Sequence, residues 1–210
     1  MVTGPSGVGK STLVREAVRV IDGLSFSVSA TTRTPRSGET HGVDYTFLSP
    51  DVFFDLVQSG AFLEHATVYG RSYGTLLEPT VQAIQDGRSL LLDIDIAGSK
   101  QVRSAWPEAI HIALLPPSID ALAVRLRERR TDSEAVIATR MSQVGQQLAE
   151  LHTFDYVVLN DDLHTAHAVF QGILFAELSR TARRGQLVTQ MESELSRWNT
   201  KYGSPATGKP

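Results

Sequence analysis

The chain has no cysteine among its 210 residues, so it can form neither a disulfide nor a thiolate metal site. Long hydrophobic runs are missing as well. Nowhere do about 18 apolar residues follow one another, which excludes a helix spanning a bilayer. The first residues show no charged segment followed by an apolar stretch, so a soluble cytoplasmic protein without a membrane partner is the expectation. Neither sign of charge dominates: 20 Lys and Arg stand against 23 Asp and Glu, a net charge of -3. With a pI of about 6.1 there is no basic field to hold a nucleic-acid backbone, and any phosphate recognition must be local. Of the six histidines, His164 and His167 are three apart on a predicted helix, but no carboxylate at ligand spacing completes a metal site. Internal repeats and low-complexity blocks are absent ahead of the tail.

What the chain does have begins almost at its first residue. Gly4-Pro5-Ser6-Gly7-Val8-Gly9-Lys10-Ser11 fits G-x(4)-G-K-[ST]. Glycines let such a loop curl so that successive backbone N–H groups converge on the β- and γ-phosphates of a nucleotide. Lys10 adds a point charge, the Ser11 hydroxyl can ligate Mg2+, and Thr12 continues into a helix. At 41% hydrophobic and 20% charged residues, the composition is that of one globular core with room for an inserted lobe.

Short β-type runs at 26–28, 44–48, 62–68, 90–96, 110–115 and 156–159 alternate with helical stretches at 119–129, 134–151 and 164–184. Leu90-Leu91-Leu92 and Ile112-Ala113-Leu114-Leu115 are continuously apolar, as parallel strands covered on both faces should be. The fold class is α/β: a parallel sheet flanked by helices. Residues 37–68, rich in Gly and Thr with short half-polar strands, read as a small mixed sheet projecting from the main one. On the helix from His164, Phe170, Ile173, Leu174 and Leu178 recur at core spacing. Beyond Gly185, Leu187, Val188, Met191, Leu195 and Trp198 mark an extra helix that packs on the body or on a partner, which leaves self-association open. The last residues, from Tyr202, read as disordered.

The densest cluster outside the phosphate loop is Ser27-Val28-Ser29-Ala30-Thr31-Thr32-Arg33-Thr34-Pro35-Arg36, followed by Gly42-Val43-Asp44-Tyr45. With Phe62-Leu63-Glu64, Ser72-Tyr73-Gly74-Thr75, Leu92-Asp93-Ile94-Asp95, Arg129-Arg130-Thr131-Asp132 and Asn160-Asp161-Asp162 in order, the chain resembles guanylate kinase up to about Arg180. The resemblance implies a P-loop fold over residues 1–184, with a GMP-binding lobe at about 32–80, a helical lid at about 127–145 and an extension at 185–210. It implies transfer of the γ-phosphoryl group of ATP to GMP with Mg2+ as cofactor, and ATP and GMP as the partners of the chain.

That chemistry suits these residues. A phosphate monoester has a second pKa near ~6, so GMP arrives largely as a dianion and needs no general base. The obstacle is the repulsion between two anions, about 1 kcal/mol per pair of unit charges 4 Å apart in water and several-fold more in a drier site. By resemblance, Lys10, Arg36, Arg129 and Arg140 are the catalytic cations, and residues 4–12 bind ATP with Asn160 near its adenine. Arg33 and Arg36 clamp the GMP phosphate, to which Tyr45 and Tyr73 donate. Glu64 reads guanine N1–H and N2–H in bidentate fashion, Thr75 donates to O6, and Ser29 and Asp95 line the same site. Ser11 and Asp93 hold the metal.

The chain departs from the pattern at its start, where only Met1-Val2-Thr3 precede Gly4 while the family places a full apolar strand there. The expectation is a weakened centre of the sheet, from a misassigned start or a truncation, because three or four buried aliphatic residues contribute about 1.5–3 kcal/mol each. Arg130 replaces a usual turn glycine, Ala97 stands where a glutamine is common, and Arg71-Ser72 precede Tyr73. Two rival readings remain at this point. One is a guanylate-kinase-like binding module of the kind that recognises phosphorylated peptides with a degraded phosphate loop; Lys10, Ser11, Arg33, Arg36, Glu64 and Asp93 are all present here. The other is a kinase for a different phosphorylated sugar or nucleotide, which would have no use for Glu64 and Thr75.

Overall fold

The apolar run at 112–115 forms an inner strand of the main sheet, and the phosphate-loop end of the cleft is hung on the carboxyl ends of that strand and its neighbours. The computed structural model describes residues 1–68, 70–128 and 134–203. In chain order these form β1 (Val2–Thr3), α1 (Lys10–Val20), β2 (Leu24–Phe26), β3 (Ala30–Thr31), β4 (Thr46–Phe47), α2 (Pro50–Gln58) and β5 (Phe62–Val68). Next come β6 (Arg71–Leu76), α3 (Leu77–Gln85), β7 (Ser89–Leu91), α4 (Ile96–Ala105), β8 (Ile112–Leu115) and α5 (Ile119–Glu128). Last are α6 (Glu134–Glu150), a short 3-10 turn, β9 (Tyr156–Leu159), α7 (Leu163–Leu178) and α8 (Thr181–Tyr202). The chain divides into two compact units, Met1–Phe170 and Gln171–Pro210.

In the first unit β2 pairs with β7, and β8 lies between β1 and β9, all in parallel. Val2 bridges the two ladders by pairing with Asp93, just past β7, so the strands run in the order β2-β7-β1-β8-β9. The first strand is only two residues long, yet it is bonded on both edges. Val2 N donates to Leu92 O at 2.8 Å, Ile94 N to Val2 O at 3.3 Å, and Ile112 N to Met1 O at 3.0 Å. Val2 and Thr3 are buried, and Met1 packs with Leu63, Leu92, Ile94 and Val102.

The inserted lobe is a mixed four-stranded sheet ordered β4-β3-β6-β5, in which only the β3–β4 pair is parallel. A register shift between Phe62 and Glu64 sets Glu64 directly across from Thr75. Such a bulge re-aims the side chains that follow it. α2, α3 and α4 lie where the sequence marked no helix. α2 is started by Ser49, whose Oγ accepts from Val52 N at 3.3 Å with Pro50 in the first turn. The strand expected over 90–96 stops at Leu91. Asp95 caps α4 instead, its Oδ1 accepting from Gly98 N at 2.8 Å, and a side chain that offers the backbone a cap ends a strand early.

α5 and α6 pack through Leu122, Leu126, Ile137 and Val144, all nearly or fully buried. Of the span expected as a lid, about 127–145, residues 127–128 end α5 and 134–145 lie on α6, which runs to Glu150. Residues 129–133, Arg129 and Arg130 among them, lie outside the described residues, as do Tyr69 and the tail 204–210 that the sequence reads as disordered. The helix expected over 164–184 is divided: α7 ends at Leu178, Arg180 takes an extended ψ of 137°, and α8 follows. Phe170 and Leu174 are buried, while Ile173 and Leu178 are half-buried. Among the described residues, no helix is long and apolar enough to cross a membrane.

One buried titratable group sets a pH limit on the first unit. His111, at the start of the β8 region, is fully buried, with Nδ1 2.9 Å from Ser99 Oγ, the Phe154 ring edge-on to it, and Nε2 without a partner. Burial, and then the nearby Arg103 charge, push the imidazole from 6.5 down to about 4. Between those values the unfolded chain binds a proton that the folded chain refuses. The contribution of His111 to stability is therefore full above about pH 6.5 and lost as the pH falls through about 4. Thermal melts from pH 7 to 4 should show a fall in Tm that is shallower in His111→Asn, with parallel curves in the two proteins counting against this assignment.

Candidate functional site

The cleft is built from the phosphate loop outward. Three of its glycines are there for separate steric reasons. A Cβ at Gly4 would overlap the backbone carbonyl oxygen of Leu114 in β8. Gly7 takes φ 87° against the Leu126 side chain of α5, and Gly9 takes φ 100° against the Asn160 amide. Gly9 is also the N-cap of α1, and no side chain caps that helix. Its first N–H groups, with the positive end of the helix dipole, therefore face the cleft as an anion site.

Cations and a carboxylate converge on the loop. Lys10 Nζ donates to Gly4 O at 2.8 Å and lies 3.9 Å from Asp93 Oδ1. Arg140, on α6, donates from Nη1 to Ser6 Oγ at 2.9 Å, which ties the helical pair 119–150 to the loop. Arg125, on α5, lines the cleft too and donates to Asn160 O at 3.0 Å. Desolvation raises the Asp93 carboxyl above its usual range, only partly countered by Lys10. A further cation beside it would restore the charged form.

At the other end of the same cleft, of about 1130 Å³, stands Glu64. It is 4% exposed, accepts from Thr75 Oγ1 at 2.7 Å, and burial drives its carboxyl from 4.5 up to about 7, with Asp95 adding to the shift. Gly98 in α4 comes so close that a Cβ there would overlap Glu64 Oε2. Ser29, Tyr45, Tyr73 and Asp95 line the space between Glu64 and the loop. The Tyr45 and Tyr73 rings meet edge-on at 6.1 Å, and burial keeps the Tyr45 phenol protonated and so a donor.

Several expected residues are placed differently. Arg33 and Arg36 do not line the cleft. Arg33 pairs with Glu39 at 2.7 Å and lies over the Tyr45 ring at 5.2 Å, while Arg36 is exposed and its backbone N–H donates to Glu39 Oε2. Thr75 spends its hydroxyl on Glu64, not on open cleft. Asn160, expected near adenine, is buried beneath the loop and donates from Nδ2 to Val8 O at 2.7 Å, so it holds the loop's shape. Arg129 lies outside the described residues. Arg125, Lys100 and Gly98 were not singled out from the sequence. Arg125 looks like its neighbour Arg127 on a charged helix, and only the α5–α6 packing separates them. Lys100 pairs across the cleft with Glu150 at 2.8 Å. Among the described residues no group of three His, Asp or Glu forms a metal cluster.

The Guanylate kinase family model matches residues 1–177. A guanylate kinase of Syntrophotalea carbinolica is 43% identical over 183 residues, covering 87% of each chain. One of Carboxydothermus hydrogenoformans is 42% identical over 87% of this chain and 90% of its own. In three dimensions, the crystal structure of guanylate kinase from Anaplasma phagocytophilum is similar with a TM-score of 0.69 at 30% identity, covering 87% of this chain and 86% of that one. A match over most of the chain in sequence and in fold, around a phosphate loop facing a buried carboxylate, places this chain in the guanylate kinase family.

Proposed function

We propose that the chain transfers the γ-phosphoryl group of ATP to GMP, giving ADP and GDP. The observation that carries this reading is the pairing of the phosphate loop with Glu64 in one cleft: an anion site at one end, and at the other a buried carboxylate of the kind guanine requires. Guanine presents N1–H and N2–H as adjacent donors, which an ionised carboxylate accepts together, whereas adenine offers an acceptor at N1. Thr75 orients Glu64 and Gly98 leaves it room. Ser29, Tyr45, Tyr73 and Asp95 take the nucleoside and phosphate of GMP, and Arg33 and Arg36 approach its phosphate from the lobe once Glu39 is exchanged for it.

The ATP phosphates lie on residues 4–12. Lys10, Arg140 and Arg125 supply the positive charge that offsets two anions meeting and the charge spread over the transferring group, and Arg129 joins them from the lid. Ser11 and Asp93 suit Mg2+: both offer hard oxygen, and the elevated Asp93 carboxyl is the donor a dication would ionise. One carboxylate, one hydroxyl and substrate phosphates make up the usual protein share of a Mg2+ shell, in keeping with the lack of a larger acidic cluster among the described residues. When bound, the metal neutralises phosphate charge; closing α5 and α6 over the loop keeps water from accepting the phosphoryl group.

The direct test is ADP release from Mg-ATP with GMP, AMP, UMP and CMP as separate acceptors. GMP alone should support turnover, and Lys10→Ala should lower kcat by about 10²–10³. Equal rates with AMP would sink the guanine assignment. Glu64→Gln should weaken GMP by about 1–3 kcal/mol while leaving ATP binding unchanged in calorimetry.

Because Glu64 titrates at about 7 and must be ionised to accept guanine, GMP affinity should fall by about tenfold from pH 7.5 to 6, with a proton released on binding. Glu64→Gln removes that Glu64 component and leaves only the titration of the GMP phosphate itself. Buffers of differing ionisation enthalpy count the proton, and an identical proton count in both proteins would overturn the role given to Glu64. Gly98→Ala should raise KM for GMP at least several-fold through displacement of Glu64, with KM for ATP unaltered; steady-state kinetics in both substrates read this directly.

A further inference from the structure

The second unit carries a feature the reaction does not use. Beyond Arg184, whose φ of -118° and ψ of 19° leave the helical region, α8 runs without interruption to Tyr202. Along it Val188, Met191, Leu195, Trp198 and Tyr202 are spaced by three and four residues in strict alternation. All five are about half exposed, from 49% at Val188 to 61% at Tyr202, and no residue of α8 is buried. A single globular body needs a wider apolar stripe than this; a seam confined to alternating three and four steps is the pattern of a helix that pairs with another helix. Trp198 and Tyr202 already meet along the seam at 5.2 Å with their rings tilted by 39°, and the Lys201 ammonium lies over the Tyr202 ring at 5.1 Å.

Charge selects the occupant. With Val188, Leu195 and Tyr202 at a, and Met191 and Trp198 at d, the flanking g positions hold Leu187, Glu194 and Lys201, and the e positions Glu192 and Asn199. Two parallel copies in register set g against the e five residues on, which gives Leu187 with Glu192 and Glu194 with Asn199. No opposite charges meet there, and Trp198 must face Trp198. Two antiparallel copies centred between Leu195 and Trp198 set Leu195 against Trp198 and Met191 against Tyr202, large with small. They also set Glu194 of each helix against Lys201 of the other, two ion pairs on the g flank, while the e flank sets Glu192 against Asn199.

We propose that α8 is a self-association element, and that two copies of the chain pair through it as an antiparallel two-stranded coil with the seam Met191, Leu195, Trp198 and Tyr202. Light scattering on the full chain at tens of micromolar should give twice 22.9 kDa, and Leu195→Glu should return it to 22.9 kDa with unchanged ADP release. Glu194→Lys and Lys201→Glu should each lower the dimer fraction, and mixing the two proteins should restore it, because each then meets the opposite charge twice. Orientation is read by cross-linking, which is clean in a chain with no cysteine of its own. A Met191→Cys protein mixed with a Tyr202→Cys protein should form a disulfide-linked heterodimer, with neither linking to itself, because each lies eleven residues, about 16 Å, from its own copy along the pair. A 22.9 kDa particle in the unsubstituted protein would overturn the proposal, as would a dimer indifferent to Leu195→Glu or a Met191→Cys chain that links to its own kind.

Discussion

The backbone at Gly4 has to pass directly over the carbonyl oxygen of Leu114, and the geometry of the cleft follows from that approach. A loop that is to present N–H groups to phosphate cannot also bond itself into a ladder, so its shape must be enforced from outside. Here β8 presses on Gly4, Leu126 of α5 on Gly7, and Asn160, just past β9, on Gly9 while its amide takes the Val8 carbonyl. Three elements that are distant in sequence thus converge on one octet. Arg125 and Arg140 are delivered by the same convergence, since the α5–α6 core that seats Leu126 also aims both guanidiniums at the loop or its support.

The opposite end of the cleft works by a different kind of constraint. Glu64 is costly to keep: it is nearly fully buried and accepts from the Thr75 hydroxyl, and burial, with Asp95 adding to it, pushes its carboxyl up to about 7. An apolar residue there would make a more stable lobe. The register shift in β5 and the missing side chain at Gly98 both serve to hold this costly group facing the cleft. Under the proposed function, stability given up at this one residue is what lets the cleft accept a base with two adjacent donors and refuse one with an acceptor.

The two ends are joined by very little. Val2 pairs with Asp93 on one side and with Ile112 on the other, and the Thr3 hydroxyl donates to Ile94 O at 3.0 Å, so Asp93 and the loop are registered through two residues of strand. Lys10, reaching both Gly4 O and toward Asp93, spans the same gap with a charge. Lys100 and Glu150 span it again from α4 to the end of α6, at the surface, where an ion pair contributes little and parts readily. That suits a cleft whose walls must separate for substrates to enter.

The phosphate loop, the continuous apolar strands, the α/β alternation and Glu64 were legible in the sequence because each is a local pattern: a fixed spacing, a run, a period, or a motif of a few neighbours. Helix α8 was legible for the same reason. Its length, the break before it and the half-exposure of its seam needed coordinates. So did the division of Arg125 from Arg127, the closeness of Gly98 to Glu64, and the use of Asn160 and Thr75 as supports for other site groups rather than as cleft surface. None of these has a local signature, because each is decided by which face of an element meets which neighbour, 11 residues away for Thr75 and Glu64 and 152 for Asn160 and Val8. The sequence by itself determined which chemical groups are available and roughly on which elements they ride. Only the tertiary structure decided which of them face the cleft, since side-chain direction is set by packing between elements and not by order along the chain.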